Sequence, residues 1–204
     1  MIILNKDDFF ANGFCQKCYQ HPENPNLCVK VVKNEATAPT VNRHNNEIKY
    51  YKKLNKRNSK RYKYQFYSKL IATKSTNLGV GQVFEIVRDD ITNDISKTLE
   101  YYLLNLTESI TLDKLKSSFK ILVDLMVKHR IIVTDLRPQN ICCKIKQDGE
   151  IEMVLIDGLG HRDFIPLVDW FSFFSKKKIY RRLDKYKMRD LEEQRRFLKE
   201  KQSK

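Results

Sequence analysis

The sequence predicts an α+β fold in which a small β-rich first part, residues 1–87, precedes a helical second part, residues 88–204. Two observations support this prediction. Short β-rich runs separated by turn residues fill the first part and are interrupted by one helix. In the second part, apolar residues recur at steps of three and four over residues 112–129, which is typical of an amphipathic helix.

The elements of the first part follow from turn residues and periodicity. Two β-rich runs flank the Pro/Asn cluster PENPN and predict a hairpin, and a KSTNLG turn separates two further strands. A helix is predicted where Ile48, Tyr51 and Leu54 fall on adjoining turns. The predicted strands are 14–21, 27–33, 66–72 and 81–87, after a short lead-in over 1–11, and the predicted helix is 43–54.

The second part begins with RDDITNDISKT, a polar segment that is predicted to be a linker. After the helix 112–129, short β segments alternate with two loops that each carry a carboxylate, TDLRPQN and LIDGLG. The predicted strands are 131–133, 141–145 and 152–156, and residues 176–204 are predicted to be helical and strongly charged.

Length and composition exclude several classes of protein. A chain of 204 residues and 24.3 kDa can bury a core, and 41% apolar with 31% charged residues excludes collagen-like and wholly disordered chains. No apolar run approaches the roughly 18 residues of a membrane span. The start MIILNKDDFF lacks the features of a secretory signal, and five cysteines is an odd number, so we expect reduced thiols and a cytoplasmic protein.

The net charge of +14 is concentrated in two segments. Residues 42–69 hold ten Lys/Arg and one Glu, and residues 176–204 hold thirteen Lys/Arg and five acids. We expect these segments to face an anionic partner, either the inner face of the cytoplasmic membrane or a phosphorylated glycolipid. The alternative is a solvated face and a basic tail. The sequence contains no nucleic-acid-binding motif, which argues against nucleic acid as the partner.

The stretch TDLRPQN carries the clearest chemistry. Asp135 and Asn140 follow an apolar strand, and seventeen residues later the apolar run MVLI leads into Asp157 and the turn DGLG. Phosphoryl transfer needs a carboxylate that orients the attacking hydroxyl and oxygen ligands that hold Mg²⁺ against the phosphates. The spacing therefore indicates Asp135 as a catalytic residue and Asn140 and Asp157 as metal ligands. The alternative is a capped turn and an aspartate that ends a strand.

These residues resemble the protein-kinase-like fold, whose catalytic loop reads H-R-D-L-K-P-E-N and whose metal loop reads D-F-G. The resemblance implies a compact bilobal fold with ATP and Mg²⁺ bound in a cleft between the lobes. LCVKVV resembles the V-A-I-K strand and implies that Lys30 contacts the phosphates and pairs with Glu47. The alternatives are an edge-strand charge and a single acid in a basic helix. QVFEIVRD resembles the last strand and hinge, where the backbone from Glu85 to Val87 would hold the adenine.

Parts of the kinase pattern are missing. The glycine loop retains one of three glycines, Gly13, and Lys17 in this loop is expected to contact the phosphates in place of glycine amides. The H-R pair is replaced by Val133 and Thr134, and Gly158 stands where D-F-G has phenylalanine. These departures leave open an alternative function: a pseudokinase that acts as a regulatory nucleotide-binding or protein-interaction module.

A closer resemblance covers most of the chain. GFCQKCYQHPENPNLCVKVV, EIKYYKKL, RIIVTDLRPQNI and IPLVDW together resemble the YrbL family, named for the PhoP regulatory network. The family name implies regulation by a magnesium-sensing two-component system, and related kinase-like proteins act on sugars of bacterial lipopolysaccharide cores. The resemblance thus implies an ATP-dependent phosphotransferase. Since no activation segment or A-P-E element is visible after Asp157, a small-molecule or glycan hydroxyl is the expected acceptor.

Two further patterns have more than one interpretation. Cys15, Cys18, His21 and Cys28 have the spacing of a zinc site, but on a strand Cys15 and Cys18 would point to opposite faces. The segment WFSFFSKKK is expected first to pack in the core. Its alternative is a membrane-interface segment whose lysines extend to the lipid headgroups.

Overall fold

Seven β-strands and five α-helices form within residues 1–13, 15–58, 66–160 and 172–203, the part of the chain that the computed structural model describes. The α+β class predicted from the sequence is confirmed. The chain divides into two units, one formed by residues 1–63 with 68–86 and the other by residues 64–67 with 87–204.

The first unit is a five-stranded antiparallel sheet with one helix. The strand order is β1-β2-β3-β5-β4. Its elements are β1 (Phe9–Asn12), β2 (Gln16–His21), β3 (Asn24–Val32), α1 (Ala38–Asn58), β4 (Leu70–Thr76) and β5 (Gly79–Glu85).

Both faces of the sheet are covered, which explains why β3 contains a nearly continuous run of buried residues, LCVKVV. Val29, Val31 and Val83 pack with the N-terminal Leu4 on one face, which we call the outer face. Because side chains alternate along a strand, Lys30 and its neighbour Phe84 lie on the opposite face. Helix α1 packs on this second face, where the rings of Tyr51 and Phe84 are 5.0 Å apart; we call it the helix-covered face.

The β4–β5 turn and the length of helix α1 differ from their predictions. The hairpin strands β4 and β5 extend into the predicted turn, because Thr76 Oγ1 donates to the Gly79 carbonyl oxygen (2.8 Å) and accepts from the Leu78 N–H (3.0 Å). Only Asn77 and Leu78 then form the turn. Helix α1 is longer than the predicted 43–54 because its first turn closes on the Thr37 carbonyl oxygen.

The second unit is mainly helical and contains a two-stranded antiparallel sheet. The predicted bounds of α3 and β6 are confirmed. Its elements are α2 (Leu99–Leu104), α3 (Leu112–His129), β6 (Ile141–Ile145), β7 (Ile151–Leu155), α4 (Ser172–Lys185) and α5 (Leu191–Gln202).

Helix α2 was missed by sequence reasoning, and one predicted strand is absent. Thr98, at the end of the predicted linker, caps α2 by accepting from the Tyr101 N–H, and the apolar LEYYLL run then buries Leu99 and Leu103. The predicted strand 131–133 was wrong, because these buried residues form only an isolated bridge between Val133 and Leu159.

The basic C-terminal segment forms two helices and part of the core. Lys187 adopts a left-handed conformation (φ 53°) that ends the first helix, and Asp190 caps the second. The basic C-terminal segment, predicted to be one helix, is therefore two helices. Beyond Lys178 the segment buries apolar side chains that are at most 7% exposed: Ile179, Leu183, Met188, Leu191 and Leu198.

The aromatic residues that precede this basic segment are not uniformly buried. Phe173 and Phe174 are 70% and 47% exposed, which corrects the expectation that they pack in the core. Trp170 and Phe171 lie outside the described residues. Across the described parts of the chain, no helix is long and apolar enough to cross a membrane.

Candidate functional site

The loop that carries Asp135 is fixed at both ends by the local sequence. Helix α3 ends at His129 and is capped by Arg130, whose left-handed backbone (φ 55°) turns the chain. The three residues that follow Arg130 are fully buried. After Asp135, Pro138 opens a short 3-10 turn that ends at Asn140 and leads directly into β6. A loop anchored in this way can present Asp135 with little freedom of the backbone.

The Asp157 loop is joined to the Asp135 loop through Gly158. The Gly158 carbonyl oxygen accepts hydrogen bonds from the Thr134 N–H (2.7 Å) and the Thr134 hydroxyl (3.0 Å). Gly158 has φ +75°, and a Cβ atom there would lie only 2.6 Å from the Asp135 carbonyl oxygen. The close approach of the two loops therefore requires glycine at this position, where the kinase pattern has phenylalanine.

Asn140 and Asp157 become neighbours through the backbone. The Asn140 side-chain amide donates to the Asp135 carbonyl oxygen (3.0 Å), and the Asn140 carbonyl oxygen accepts from the Ile156 N–H (2.9 Å). Asp157 follows directly and accepts from the Gly158 N–H through Oδ1 (2.9 Å). The structure thus brings together Asp135, Asn140 and Asp157, which the sequence analysis had selected.

Arg137 is a site residue to which the sequence analysis gave no role. Its Nε and Nη2 donate to the two carboxylate oxygens of Asp135 at 2.7 and 2.6 Å. These hydrogen bonds raise the pKa of the guanidinium, with smaller contributions from the negative charges of Asp135 and Asp157. The signal in the sequence was an arginine two residues after the aspartate, a spacing that permits a bidentate pair.

Tyr186 is a second residue that sequence reasoning missed. It lies just after α4, and its hydroxyl donates to the Thr134 carbonyl oxygen at 3.0 Å. The C-terminal helices therefore support the backbone beside Asp135. No local pattern could reveal this contact, because 52 residues separate the two positions.

Lys30 lies near the end of β3, the central strand of the sheet, opposite Gln82 of β5, and is only 9% exposed. Its Nζ is 4.8 Å from the centre of the Phe84 ring, which is a cation–π contact. The neighbouring Cys28 is also buried, and burial raises the pKa of its thiol to about 12. A buried lysine in a central strand does not fit the alternative of an edge-strand charge.

Glu47 lies on the side of α1 that faces the sheet. It is half-buried, one turn after His44 and one turn before Tyr51. His44 Nδ1 is 2.5 Å from the side-chain nitrogen of Gln16 on β2, and Tyr51 packs on Phe84. Glu47 and Lys30 therefore belong to facing surfaces of the same unit.

Gly13 and Lys17 are placed differently from the predicted phosphate loop. Gly13 closes the turn between β1 and β2, where its N–H donates to the Gln16 carbonyl oxygen at 2.9 Å. Because β2 already begins at Gln16, Lys17 lies within the strand, opposite Val31. Its side chain is thus on the outer face, whereas Lys30 lies on the helix-covered face.

Part of the backbone that was predicted to bind adenine already forms hydrogen bonds within the protein. The Glu85 N–H donates to the Lys69 carbonyl oxygen (3.1 Å), and the Glu85 carbonyl oxygen accepts from Ser68 Oγ (2.8 Å). The Val87 carbonyl oxygen accepts from the Ser96 N–H (3.0 Å), whereas no partner for the Val87 N–H occurs among the described residues. Val87 therefore retains a backbone donor.

No group of three or more His, Cys, Asp or Glu side chains in the described ranges is arranged to hold a metal ion. The four residues with zinc-like spacing, Cys15, Cys18, His21 and Cys28, lie within these ranges and form no such group.

The fold and these contacts define an α+β protein whose second unit clusters two aspartates, an asparagine and an arginine. A family model described as PhoP regulatory network protein YrbL matches residues 2–191, and the chain belongs to this family. Two relatives named "Uncharacterized protein YrbL", from Escherichia coli (strain K12) and Shigella flexneri, are each 27% identical over 180 residues, which cover 87% of this chain and 82% of the relative. The predicted resemblance to the YrbL family is confirmed.

The contact between the two loops predicts different costs for two glycine substitutions. Gly149 also has a positive φ (+77°), but no atom lies within 4 Å of the position that a Cβ would take, so Gly149→Ala should cost only the backbone strain of about 1–2 kcal/mol. Gly158→Ala should cost roughly 1–3 kcal/mol more, because the new methyl group meets the Asp135 backbone. Urea unfolding of the full chain measures both. Equal losses would contradict the role of Gly158 in holding the loops together.

Proposed function

We propose that this chain is a kinase-like phosphotransferase that uses Mg²⁺-ATP and phosphorylates a hydroxyl of a small molecule or surface glycan. The observation that carries the proposal is the cluster of Asp135, Asn140 and Asp157 on two loops joined at Gly158. Side-chain oxygens and a carboxylate in one cluster are the groups that phosphoryl transfer requires.

The donor set suits a hard cation. Asn140 uses its amide nitrogen on the Asp135 backbone, so its side-chain oxygen is the group that can bind a metal. Asp157 supplies a carboxylate at the end of a buried strand, and oxygen ligands of this kind are what Mg²⁺ prefers. When bound, Mg²⁺ would neutralise and orient the phosphates of ATP.

Asp135 would orient the acceptor hydroxyl. Its side chain is 28% exposed, so a small acceptor can reach it, and the tight loop fixes its backbone. Each carboxylate oxygen has two lone pairs, so Asp135 can accept a hydroxyl while Arg137 remains bound.

Lys30 would bind the nucleotide phosphates, and Glu47 would hold the ammonium group in position. Support for this assignment comes from the burial of Lys30 in β3, the central strand of the sheet, and from the position of Glu47 on the facing side of α1. A buried ammonium group is stable when it has an anionic partner, which phosphate and Glu47 would both provide.

A second function, a regulatory nucleotide-binding module without phosphotransfer, is favoured by two observations. Arg137 binds both carboxylate oxygens of Asp135 and leaves only one lone pair on each of them for an acceptor hydroxyl. Lys17 lies on the face of the sheet opposite Lys30, which argues against a phosphate contact shared by both lysines. Both functions include nucleotide binding, and only the first includes turnover.

Nucleotide binding should stabilise the wild-type chain. Millimolar Mg²⁺-ATP at about 100 times its Kd would add about 2.7 kcal/mol and raise Tm by several degrees. Lys30→Ala and Asp157→Ala should each abolish this rise, because each removes a direct contact with Mg²⁺-ATP. Matched controls, Lys74→Ala on β4 and Asp113→Ala on α3, replace exposed residues of the same types and should keep it. Thermal melts with no rise for the wild type would refute both proposed functions.

Turnover separates the two functions. Asp135→Asn should keep the Mg²⁺-ATP-induced rise in Tm and lower phosphate release from ATP, with water as the acceptor, by at least about 100-fold. The conservative control Asp113→Asn, on the exposed first turn of α3, should leave the rate unchanged. If the wild type binds Mg²⁺-ATP but shows no Asp135-dependent phosphate release, the regulatory module is the correct function.

A further inference from the structure

The exposed side of α4 combines aromatic and cationic side chains. Phe173 and Phe174 are exposed at its first turn, and Lys177 and Arg181 follow at steps of three and four residues. The opposite side is buried and holds Ser175, Ile179 and Leu183. Helix α4 therefore has one side packed in the second unit and another side that presents phenylalanine and positive charge to solvent.

The charge on this side is not neutralised within the described part of the second unit. The first twelve residues of α4 contain no acid, and Lys176, Lys177 and Arg181 are exposed and form no ion pair there. Three of the five acids farther along the tail are already paired with other cations: Asp184 with Arg189, Glu192 with Arg196 and Lys116, and Glu193 with Lys187.

The exposed phenylalanines limit which classes of partner can bind this side of α4. Two neighbouring aromatic side chains on a helix surface, 70% and 47% exposed, leave apolar area in water that a soluble surface alone would not favour. Flanked by lysines, such residues suit the boundary between lipid headgroups and acyl chains. Their rings meet edge to face (centroids 5.9 Å, 76°), which does not form the flat platform on which nucleic-acid bases stack.

We propose that α4 is a docking helix for an anionic lipid surface. Phe173 and Phe174 enter the interfacial layer, and Lys176, Lys177 and Arg181 contact lipid phosphates. This inference stands independently of phosphotransfer. Because Tyr186 directly follows α4 and hydrogen bonds to Thr134, docking of α4 would also hold the Asp135 loop at a fixed position relative to the lipid.

Vesicle flotation tests whether the positive charges of α4 contribute to lipid binding. The full chain should float with phosphatidylcholine vesicles that contain phosphatidylglycerol, should not float with phosphatidylcholine alone, and should dissociate as salt is added. Lys176→Gln/Lys177→Gln/Arg181→Gln should weaken binding about 100-fold, roughly fivefold per charge. The matched control Lys114→Gln/Lys120→Gln/Lys128→Gln removes three exposed charges from α3 of the same unit and should change binding less than tenfold.

A second pair of variants tests whether the exposed phenylalanines of α4 contribute to lipid binding. Phe173→Ser/Phe174→Ser should lose the binding that persists at high salt, because that part depends on apolar insertion. Phe197→Ser replaces an exposed phenylalanine of α5 and should keep it. Thermal melts of each variant confirm that the fold is retained.

Three results would overturn the inference. The first is no binding to anionic vesicles. The second is an equal loss of binding for the α4 and α3 triple variants, which would show that overall charge rather than α4 is responsible. The third is binding of polyuridylate that depends on the α4 residues and excludes vesicles, which would identify nucleic acid as the partner.

Discussion

The structure of the candidate site depends on the contact between Gly158 and the backbone of Thr134 and Asp135. One carbonyl oxygen accepts from the Thr134 N–H and hydroxyl, and the absence of a Cβ allows the two chains to meet. With this contact in place, the β6–β7 pairing sets Asn140 beside Asp157. Two loops separated in sequence thus form one polar cluster whose backbone groups are largely satisfied.

Much of the fold could be predicted because it is specified locally. Helix α3 has a threonine cap and a regular apolar periodicity, and its bounds match the prediction. Helix α2 was missed because its six residues are too few to show a period, and its capping threonine ended a polar segment. The break between α4 and α5 depends on the left-handed backbone conformation of Lys187. The pattern of charges in the sequence does not reveal that conformation. Burial of the basic tail depends on tertiary contacts, which overrode its polar composition.

The candidate site likewise contains residues that could be identified from the sequence and residues that could not. Asp135, Asn140 and Asp157 could be selected because each lies in a short motif next to an apolar strand. Lys17 lies in a strand rather than in the predicted loop because strand β2 starts at Gln16, and register determines which face a side chain occupies. The Arg137 pair with Asp135 and the Tyr186 bond to Thr134 are tertiary contacts. Both converge on the Asp135 loop, so the aspartate is oriented by Arg137 and its backbone is supported by the C-terminal helices.

The proposed function requires that Asn140 and Asp157 hold a metal–nucleotide complex. The most direct measurement is paramagnetic line broadening in the ¹⁵N-labelled chain with Mn²⁺-ATP in place of Mg²⁺-ATP. The account predicts strong broadening of the Asn140 side-chain amide and the Gly158 N–H, and little effect on Gly149 at the far end of the β6–β7 hairpin. Broadening at Gly149 equal to that at Asn140, or none at either, would contradict it.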